Sequence, residues 1–369
     1  MSMRVLHMVP DIGISNGVMS VVMNYFRAMP KDVYFDVVYF QEKPQDRKEQ
    51  IESLGGRVFK VRAPSIKSLF ASDVDALFQE HAGEWSAVHI HAPHFAVFLA
   101  PIAKKYGIKH IACHCHSTWY SLNKKNNFRN QLLAEPSYNL CGLHLACSKD
   151  AGRFWWGNKP FSVLNNAVDC KKLQFNKNVR AEVRRCLKMD QRFVVGHVGR
   201  TVPPQKNHPF LLKIFAEIKK KMPNAVLLLV GADADDDLVQ LAEKLQIQED
   251  VRFLGQRTDI PNLLCAMDVF IFPSFQEGLP VAVVEAQASG LPVLMSDTIT
   301  DEVKITQNVF SMSLDSPASD WAEKALSMQA EDREEAAQAL MQSGWDIHTS
   351  AAALYQYYAS GKFVSPCVK

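Results

Sequence analysis

Three common markers of protein class are missing from this sequence of 369 residues. It contains no run of 18 or more apolar residues, which predicts that no helix crosses a membrane. Its first ten residues are too polar for a signal peptide and are typical of a β-strand, so we expect a cytoplasmic protein. The glycine fingerprint G-x-G-x-x-G with a suitably placed acid is also absent, which disfavours a nicotinamide-dependent dehydrogenase.

Motifs for metal binding are missing too. The eight cysteines are scattered, none forms a C-x-x-C pair, and Cys113 and Cys115 alternate along a predicted strand rather than clustering as zinc ligands. His89, His91 and His94 are close in sequence, but alternating histidines at a strand end with no acid nearby make a poor metal site. We therefore expect reduced, mostly buried thiols and no metal.

Charge is distributed unevenly along the chain. Residues 1–167 contain 19 Lys and Arg against 13 Asp and Glu, whereas the remainder contains 22 against 26. A basic first half favours an anionic partner, either a phosphorylated molecule or a membrane surface. Residues 119–133 mix aromatic with basic side chains (Trp119, Tyr120, Phe128, Lys124, Lys125 and Arg129), which suits an anionic membrane interface. A solvated loop and helix is the favoured interpretation of this segment, and membrane contact is the alternative.

Short apolar runs recur along the chain, and each is followed by a helical pattern. Runs that are apolar on both faces, such as residues 226–230, indicate parallel strands covered by helices on each side. Such alternation predicts doubly wound α/β sheets, and eleven strands are too many for one sheet, so we expect two domains with a hinge at residues 165–169. The predicted strands are residues 4–9, 34–40, 58–61, 87–91, 110–114, 143–147, 193–199, 225–231, 251–254, 268–272 and 292–295.

Polar residues follow two strands of the second half. Ligands of open parallel sheets bind at the carboxyl ends of the strands, and Arg200 and Lys206 flank a loop at such an end. Two cations there suit a diphosphate, although a pair of solvated surface cations is the alternative. Asn207 is expected to cap the helix that starts near His208.

The segment 273–290 predicts a loop followed by a helix that Pro280 begins and Gly290 ends. The amides of Gly278, Leu279 and Val281 would form an anion site with the helix dipole. Glu277 lies in the loop. Glu285 lies in an otherwise apolar helix, where a buried charge needs a partner, so both carboxylates are expected to accept from hydroxyl groups of one ligand. The alternative is a capping acid and a structural buried glutamate.

Two positions in the first half are candidates for ligand contact. Asn16 and Gly17 follow the first strand and tolerate positive φ, which would let the backbone approach a ligand. His116 leaves a strand at the corresponding sheet edge and could hydrogen-bond a polar ligand. A structural role is the alternative for this single histidine.

These segments together resemble the retaining glycosyltransferases of family 4, which have the GT-B fold. The resemblance covers almost the whole chain and is more specific in the second half. Two departures are Asn16-Gly17, where the family usually has a double glycine, and Ala167, where the family's hinge motif has glycine. The matching residues are Gly199-Arg200, Lys206-Asn207, Val230-Gly231, Phe253-Leu254-Gly255, Asp268-Val269-Phe270, Pro273-Ser274, Glu277-Gly278-Leu279-Pro280 and Glu285.

The resemblance implies an α/β fold of two Rossmann-like domains, each with a doubly wound parallel sheet, facing across a cleft. Residues 1–167 would bind the acceptor and residues 168–345 the nucleotide-sugar donor. Residues 346–369 would form a C-terminal helix that crosses back onto the first domain. The fragment 114–118 is similar to bacterial exopolysaccharide and capsule transferases, and His89, His91 and His94 would be structural or acceptor-facing.

The resemblance also implies residue roles. Arg200 and Lys206 would neutralise the donor diphosphate, and Glu277 would bind hydroxyls of the transferred sugar. Glu285 would bind the ribose. The other implied donor contacts are His116 to the sugar, Gly17 to the phosphates, the amides of Gly278 and Leu279 to the diphosphate, and the backbone near Gln256 and Arg257 to the base.

The implied activity is metal-independent transfer of a sugar, with retention, from a nucleoside-diphosphate sugar, expected to be a UDP-sugar. The acceptor would be a glycan or a polyprenyl-linked sugar in cell-surface polysaccharide synthesis. No cofactor and no nucleic-acid partner is expected, and the protein would be cytoplasmic or peripheral at the inner face of the cell membrane. The alternatives are a nucleotide-sugar 2-epimerase of the same fold and a non-catalytic nucleotide-sugar-binding subunit.

Overall fold

The computed structural model describes residues 2–14, 16–64, 71–121, 124–201, 204–330 and 333–366, with only the backbone of residues 124 and 125. Cys367, predicted to be a free thiol, lies outside these ranges. The chain divides into two compact units, which we call unit 1 (Met1–Ala167 with Gly344–Lys369) and unit 2 (Val168–Ser343). Among the described residues, no helix is long and apolar enough to cross a membrane.

Unit 1 contains a sheet of seven parallel strands. The strands are β1 (Met3–Asp11), β2 (Val33–Gln41), β3 (Val58–Lys60), β4 (Ala87–Ile90), β5 (His110–Cys115), β6 (Leu143–Ala146) and β7 (Ser162–Val163). Their order in the sheet is β3-β2-β1-β4-β5-β6-β7, and every pairing is parallel. The direction of winding therefore reverses between β1 and β4, which is where such sheets bind ligands.

Helices connect the strands of unit 1. They are α1 (Gly17–Ala28), α2 (Lys48–Ser53), α3 (Ser72–Glu80), α4 (Ala96–Lys105), α5 (Lys124–Tyr138) and α6 (Lys149–Trp156), with a 3-10 turn at Pro93–Phe95. Helix α1 begins at Gly17 because the Asn16 side chain accepts hydrogen bonds from the amides of Val18 and Met19. This cap fixes the position at which the chain leaves β1.

Unit 2 contains a sheet of six parallel strands. They are β8 (Phe193–Val198), β9 (Ala225–Val230), β10 (Val251–Phe253), β11 (Val269–Phe272), β12 (Val293–Ser296) and β13 (Val309–Met312). The order is β10-β9-β8-β11-β12-β13. All six residues of β9 are buried, as expected for a central strand covered by helices on both faces. The winding reverses between β8 and β11.

In the described part of unit 2, eight helices surround this sheet or join its strands. They are α7 (Cys170–Leu173), α8 (Lys177–Cys186), α9 (His208–Lys221), α10 (Asp236–Lys244), α11 (Ile260–Ala266), α12 (Val281–Ala288), α13 (Ala318–Ser327) and α14 (Ala336–Gln342), with 3-10 turns at Pro204–Lys206, Gln248–Asp250 and Asp301–Val303. Helices α9 and α13 pack against each other in the core.

The last helix, α15 (Ile347–Ser360), belongs to unit 1 although it follows unit 2 in the chain. It packs against α1. The hydroxyl of Tyr358 lies 2.6 Å from His89 Nδ1, and both residues are buried. The predicted return of the C-terminal helix to the first Rossmann-like fold is therefore confirmed.

All eleven predicted strands form, and two further strands were missed. The missed strands are β7, which has two residues, and β13, in which only Val309 is buried. Both lie at an edge of their sheet. A short or half-buried edge strand lacks the continuous apolar run by which a central parallel strand is recognised.

Candidate active site

The reversal of strand order in unit 2 brings two loops together. One comprises residues 199–207 after β8, and the other residues 273–280 after β11. The amide of Phe275 donates to the carbonyl of Gln205 at 2.9 Å, and the Gln205 side chain donates to the carbonyl of Gln276. Val202 and Pro203 of the first loop lie outside the described residues. The two loops thus form one surface at the carboxyl ends of β8 and β11.

An ion pair joins these loops at its centre. Lys206 Nζ lies 2.7 Å from Glu277 Oε1, and the Ser274 hydroxyl donates to the same oxygen at 2.7 Å. The side chains of Lys206 and Glu277 are only 18% and 11% exposed, so solvent screens their attraction less than at an open surface. Lys206 Nζ also lies 4.5 Å from the centre of the Phe272 ring. Because both donors bind Oε1, Oε2 is the oxygen that can accept from a ligand.

Gly199 lets the lysine approach the backbone. A Cβ at this position would lie 2.9 Å from Cγ of Lys206 and 2.8 Å from Nε2 of the buried His197. Both separations are shorter than real Cβ contacts, so any side chain at Gly199 would displace Lys206, His197 or both. The glycine that ends β8 is therefore a packing requirement of the ion pair.

Arg200 follows Gly199 and is partly exposed. Within the described part of the chain, its guanidinium makes no hydrogen bond or ion pair. Arg200 is thus a cation in the same loop as Lys206, and its guanidinium has no internal partner among the described residues, so its donors are available to an anion.

Helix α12 begins at Val281, one residue after Pro280, and has no side-chain cap. The amides of Val283 and Val284 donate to the Pro280 carbonyl, so the amides of Val281 and Ala282 are the first-turn donors that the helix itself does not use. The predicted start at Pro280 is thus wrong by one residue, a difference that lies within ordinary helix-end ambiguity. Gly278 and Leu279 are buried immediately before the helix. The positive end of the helix dipole therefore lies next to Glu277 in sequence.

Glu285 differs from its expected environment. It is half-buried, and it shares the more accessible side of α12 with Val281 and Ala282. It also has an interaction partner within the protein. The expectation of a buried carboxylate without a protein partner is therefore wrong, because the helix turns this position partly toward solvent. Its place near the start of α12 is still compatible with ligand contact.

Asn207 precedes α9 as predicted, but its side chain makes no capping hydrogen bond. The residue instead adopts a left-handed conformation with φ 56° and ψ 44°. Asparagine tolerates this region better than most residues. The capping prediction is therefore wrong, and Asn207 serves as the turn between the 3-10 segment that carries Lys206 and helix α9.

Gln256 and Arg257 follow β10, the strand at the edge of the unit 2 sheet, and both are exposed. Arg257 binds both carboxylate oxygens of Asp259, at 2.8 and 2.7 Å. These hydrogen bonds raise the pKa of Arg257 and lower the pKa of Asp259. The Arg257 side chain is thus already bound to Asp259. The contact between the backbone near Gln256 and Arg257 and the base of the nucleotide stays a prediction.

In unit 1, Gly17 is the first residue of α1, and a Cβ added there would meet nothing within 4 Å. Space beside the helix start is therefore open. Asn16 has φ −78° and acts as the helix cap, so the structure does not use the positive φ that this residue tolerates. Ser15 lies outside the described residues.

His116 is part of a histidine cluster in unit 1 that the sequence did not reveal. Its Nε2 lies 2.9 Å from His91 Nδ1, and His91 Nε2 lies 2.9 Å from His7 Nδ1. Burial lowers the pKa of His116 and His7 to about 3, so both are neutral at pH 7. The detectable signal was the two-residue spacing of histidines on consecutive strands. His94 lies apart from this cluster, with its ring beside those of Phe95 and Trp155.

Comparisons with known proteins agree with this architecture. The family described as Glycosyltransferase Family 4 matches residues 15–172, and the family described as Glycosyl transferases group 1 matches residues 192–331. A Bacillus subtilis protein named "Putative glycosyltransferase EpsF" is 35% identical over 379 residues, covering 96% of each chain. An Escherichia coli enzyme, UDP-Gal:alpha-D-GlcNAc-diphosphoundecaprenol alpha-1,3-galactosyltransferase, is 38% identical over 146 residues, or 37% of this chain and 36% of its own.

Solved structures show the same fold. The structure of HepE from Anabaena in complex with UDP and glucose matches with a TM-score of 0.77 at 19% identity, covering 97% of this chain and all of the other. Since the two parallel sheets, the returning α15 and the full-length relative agree, the chain is a glycosyltransferase that belongs to family 4 and has the GT-B fold.

Proposed function

We propose that this enzyme transfers a sugar from a UDP-sugar, with retention of anomeric configuration and without a metal ion, to a glycan or polyprenyl-linked acceptor. The observation that carries the proposal is the Lys206–Glu277 pair, held at 2.7 Å where the unit 2 sheet reverses. Names of relatives support the substrate classes: HepE binds UDP, and the E. coli relative uses a UDP-sugar and a diphosphoundecaprenol acceptor. The name EpsF supports a role in exopolysaccharide synthesis.

Charge stabilisation is the main catalytic contribution in this proposal. As the bond from the anomeric carbon to the diphosphate breaks, negative charge develops on UDP. Arg200, Lys206 and the first amides of α12, with those of Gly278 and Leu279, stabilise that charge. A lysine ammonium has three donors, so Lys206 can bind a phosphate oxygen while keeping its bond to Glu277. These groups replace the divalent cation that other transferases use.

Glu277 and Glu285 position the donor. Oε1 of Glu277 is occupied by Lys206 and Ser274, so its Oε2 accepts from hydroxyls of the transferred sugar. Glu285 accepts from the ribose. The acceptor oxygen attacks the anomeric carbon from the side that the diphosphate leaves, and the acceptor proton passes to the departing phosphate oxygen. The contacts implied for Gly17, His116 and the backbone at Gln256 and Arg257 stay predictions.

Thermal shift and transfer assays test the proposal. UDP should raise the melting temperature, whereas GDP and NAD should not. Lys206→Met should lower turnover by about 100-fold or more, the usual effect of removing one preorganised charge-stabilising group. Glu277→Gln should cause a loss of about 100-fold as well, because the transferred sugar and Lys206 would both be misplaced. The matched control is the Lys220–Glu217 pair, also 2.7 Å but on the surface. Lys220→Met and Glu217→Gln should leave turnover unchanged.

Product analysis separates the remaining alternatives. Transfer should persist in excess chelator, and NMR of the product should show the donor's anomeric configuration. A 2-epimerase would instead release a sugar altered at C2 without needing an acceptor, and a non-catalytic subunit would bind UDP without turnover. Stabilisation by GDP or NAD but not by UDP would show that the donor assignment is wrong.

Peripheral contact with an anionic membrane is a second proposal, and exposed apolar residues in unit 1 support it. Phe128 and Leu132 are 67% and 61% exposed on α5, and their four-residue spacing places them on one helix face. Exposed Arg129 lies between them in sequence. Helix α6, which packs against α5, exposes Phe154 beside Arg153. The side chains of Lys124 and Lys125, part of the original prediction, lie outside the described residues.

Co-sedimentation with liposomes tests this surface. Binding should require anionic lipid and should weaken at high salt, because screening shortens the range of the electrostatic attraction between the protein and the membrane. The variant Phe128→Ser/Leu132→Ser should lose binding. Val364→Ser, which alters an equally exposed apolar residue of unit 1, should keep it. Absence of wild-type binding at low ionic strength would contradict membrane contact.

A further inference from the structure

Five histidines lie together near the centre of the unit 1 sheet. His7 is on β1, His89 and His91 are on and just after β4, and His114 and His116 are on and just after β5. These strands are neighbours in the order β1-β4-β5. Residues two apart on a strand share one face, so each of the last two strands contributes a pair. Ring centroids of neighbours are 4.0 Å apart for His114 and His116 and 4.2 Å apart for His89 and His91.

Several nitrogens of this cluster are buried without a hydrogen-bond partner among the described residues. They are Nε2 of His7, Nε2 of His89 and both ring nitrogens of His114. His7, His89 and His114 are each 1% exposed. A buried polar atom without a partner costs about 1–3 kcal/mol, and native proteins rarely keep several in one place. The cluster therefore offers unpaired imidazole nitrogens to a ligand, and those of His114 belong to the group of three considered next.

We propose that His91, His114 and His116 bind a borderline divalent transition-metal ion, with Zn²⁺ as the representative. One ring nitrogen from each residue lies within 4.8 Å of the other two. Imidazole is a preferred ligand of Zn²⁺ and of neighbouring metals in the series. The ring nitrogens of His114 have no hydrogen-bond partner among the described residues. His114 therefore supplies a third ligand in addition to the hydrogen-bonded pair His91 and His116.

Metal binding requires all three ring nitrogens, which now lie within 4.8 Å of one another, to reach similar separations. His91 Nδ1 and His116 Nε2 are 2.9 Å apart, whereas two nitrogens on one tetrahedral zinc, with bonds of about 2.0–2.1 Å, lie about 3.3 Å apart. The ion would replace the proton that these nitrogens now share. His91 Nε2 would keep its contact with His7 Nδ1 at 2.9 Å, and such an outer partner orients a metal-bound imidazole.

Protonation and charge are both compatible with this site. Burial lowers the pKa of His91 and His114 well below the usual value and that of His116 to about 3, so the rings are neutral, as metal binding requires. His116 is half-buried whereas His91 and His114 are buried, so solvent is nearest to the cluster on the His116 side. A hydroxide or another anion there would offset the charge of the ion. The site shares His116 with the predicted contact to the donor sugar, but the proposed transfer mechanism itself uses no metal.

Metal titration of the full-length, tag-free protein tests the site. After chelator treatment and buffer exchange, calorimetry should show about one equivalent of Zn²⁺ bound per chain. Co²⁺ should give the intense visible bands of a four-coordinate site. His114→Ala and His116→Gln should each weaken binding by more than about 100-fold, since loss of an outer-sphere partner alone costs about 10- to 100-fold. His348→Gln, which removes an exposed histidine of the same unit, should bind as the wild type does.

Two results would overturn the proposal: no saturable binding by the wild type, or equal affinity in the wild type, His114→Ala and His116→Gln. Circular dichroism establishes whether each variant is folded. If His114→Ala does not fold, His116→Gln decides the question, because its half-buried ring contributes less to the core. Transfer activity is not the readout, so failure of this site leaves the proposed transferase function untouched.

Discussion

Units 1 and 2 share a doubly wound fold, but they place different chemistry where the strand order reverses. In unit 2 the loops at the reversal contain charged side chains. Lys206 and Glu277 form an ion pair, and Arg200 is nearby in sequence. In unit 1 the corresponding strands carry His7, His91 and other imidazoles that burial keeps neutral. The same backbone architecture therefore supports an ionic site in one unit and an uncharged site in the other.

The difference lies in how each group is stabilised. The Glu277 carboxylate accepts from a cation and from a hydroxyl, so its charge is compensated inside the protein. The five imidazoles of unit 1 have few partners and depend on remaining unprotonated. A buried neutral cluster should lose stability in acid, because protons bind to the histidines of the unfolded chain more readily than to those of the folded unit.

Mild acid should therefore destabilise unit 1 before unit 2. Burial lowers the pKa of all five clustered histidines, so below pH 6.5 the unfolded chain binds protons that the folded unit does not. Stability then falls as pH falls, by up to about 1.4 kcal/mol per histidine and pH unit. For the five clustered histidines of metal-free unit 1 this is at most about 7 kcal/mol between pH 6.5 and 5.5, comparable with the whole stability of a domain.

Pulsed hydrogen exchange with peptide mass spectrometry measures this difference, with labelling at one fixed pH after incubation at each acidity. Unit 2 has two comparable histidines, His197 and His208, whose pKa burial also lowers, and its upper bound is about 3 kcal/mol over the same interval. Strands β1, β4 and β5 should lose protection at higher pH than β8 and β11. If the strands of both sheets lost protection from exchange at the same pH, the proposed difference in acid stability between units 1 and 2 would be wrong.

The second expected effect concerns the packing of the ionic site. Gly199→Ala would place a Cβ 2.9 Å from Lys206 Cγ and 2.8 Å from His197 Nε2. Overpacking of this kind costs about 1–3 kcal/mol, and the displaced lysine should weaken UDP binding by at least about tenfold. Thermal unfolding and UDP titration measure the two effects.

Gly17→Ala is the matched control for stability, because a Cβ there meets nothing within 4 Å and Gly17 is not among the residues with positive φ. Its melting temperature should not fall. A similar loss of stability in both variants would mean that the effect at Gly199 does not come from the contacts of the added Cβ with Lys206 and His197.

Most of the fold was accessible from the sequence, because central parallel strands are continuous apolar runs whose signal does not depend on distant residues. Strands such as β9 are buried along their whole length. The meeting of Lys206 and Glu277, 71 residues apart, was also accessible in outline. Both residues follow strands, and loops after parallel strands share one sheet edge.

The details that were missed depend on tertiary arrangement. The five-histidine cluster requires that β1, β4 and β5 be neighbours, and an apolar run reveals a strand but not its order. The left-handed turn at Asn207 and the bond from Ser274 to Glu277 depend on loop geometry that side-chain type does not determine. Glu285 was expected to be buried because its neighbours are apolar, but a helix this short exposes part of one side.

Ser274→Ala should give the third effect, a loss of about tenfold in turnover, or about 1.4 kcal/mol. The hydroxyl helps to hold Oε1 of Glu277, whereas the carbonyl of Ser274 accepts from Ser296 and Thr298 and should keep the loop in place. Affinity for UDP, which lacks the transferred sugar, should not change. Ser311→Ala is the control, since its hydroxyl has no partner among the described residues. If Ser274→Ala lost UDP affinity as much as it lost turnover, the cause would be a distortion of the loop 273–280 instead.

Arg257→Ala should have the smallest effect. Its ion pair with Asp259 is on the surface, with side chains 41% and 35% exposed, and such pairs contribute about 0–1 kcal/mol. If the backbone near Gln256 and Arg257 holds the base, removing the guanidinium should change UDP affinity by less than about threefold in calorimetry. A loss of tenfold or more would mean that the ionic site of unit 2 extends from the strand reversal to the edge strand β10, because the side chain would then leave Asp259 to bind the nucleotide.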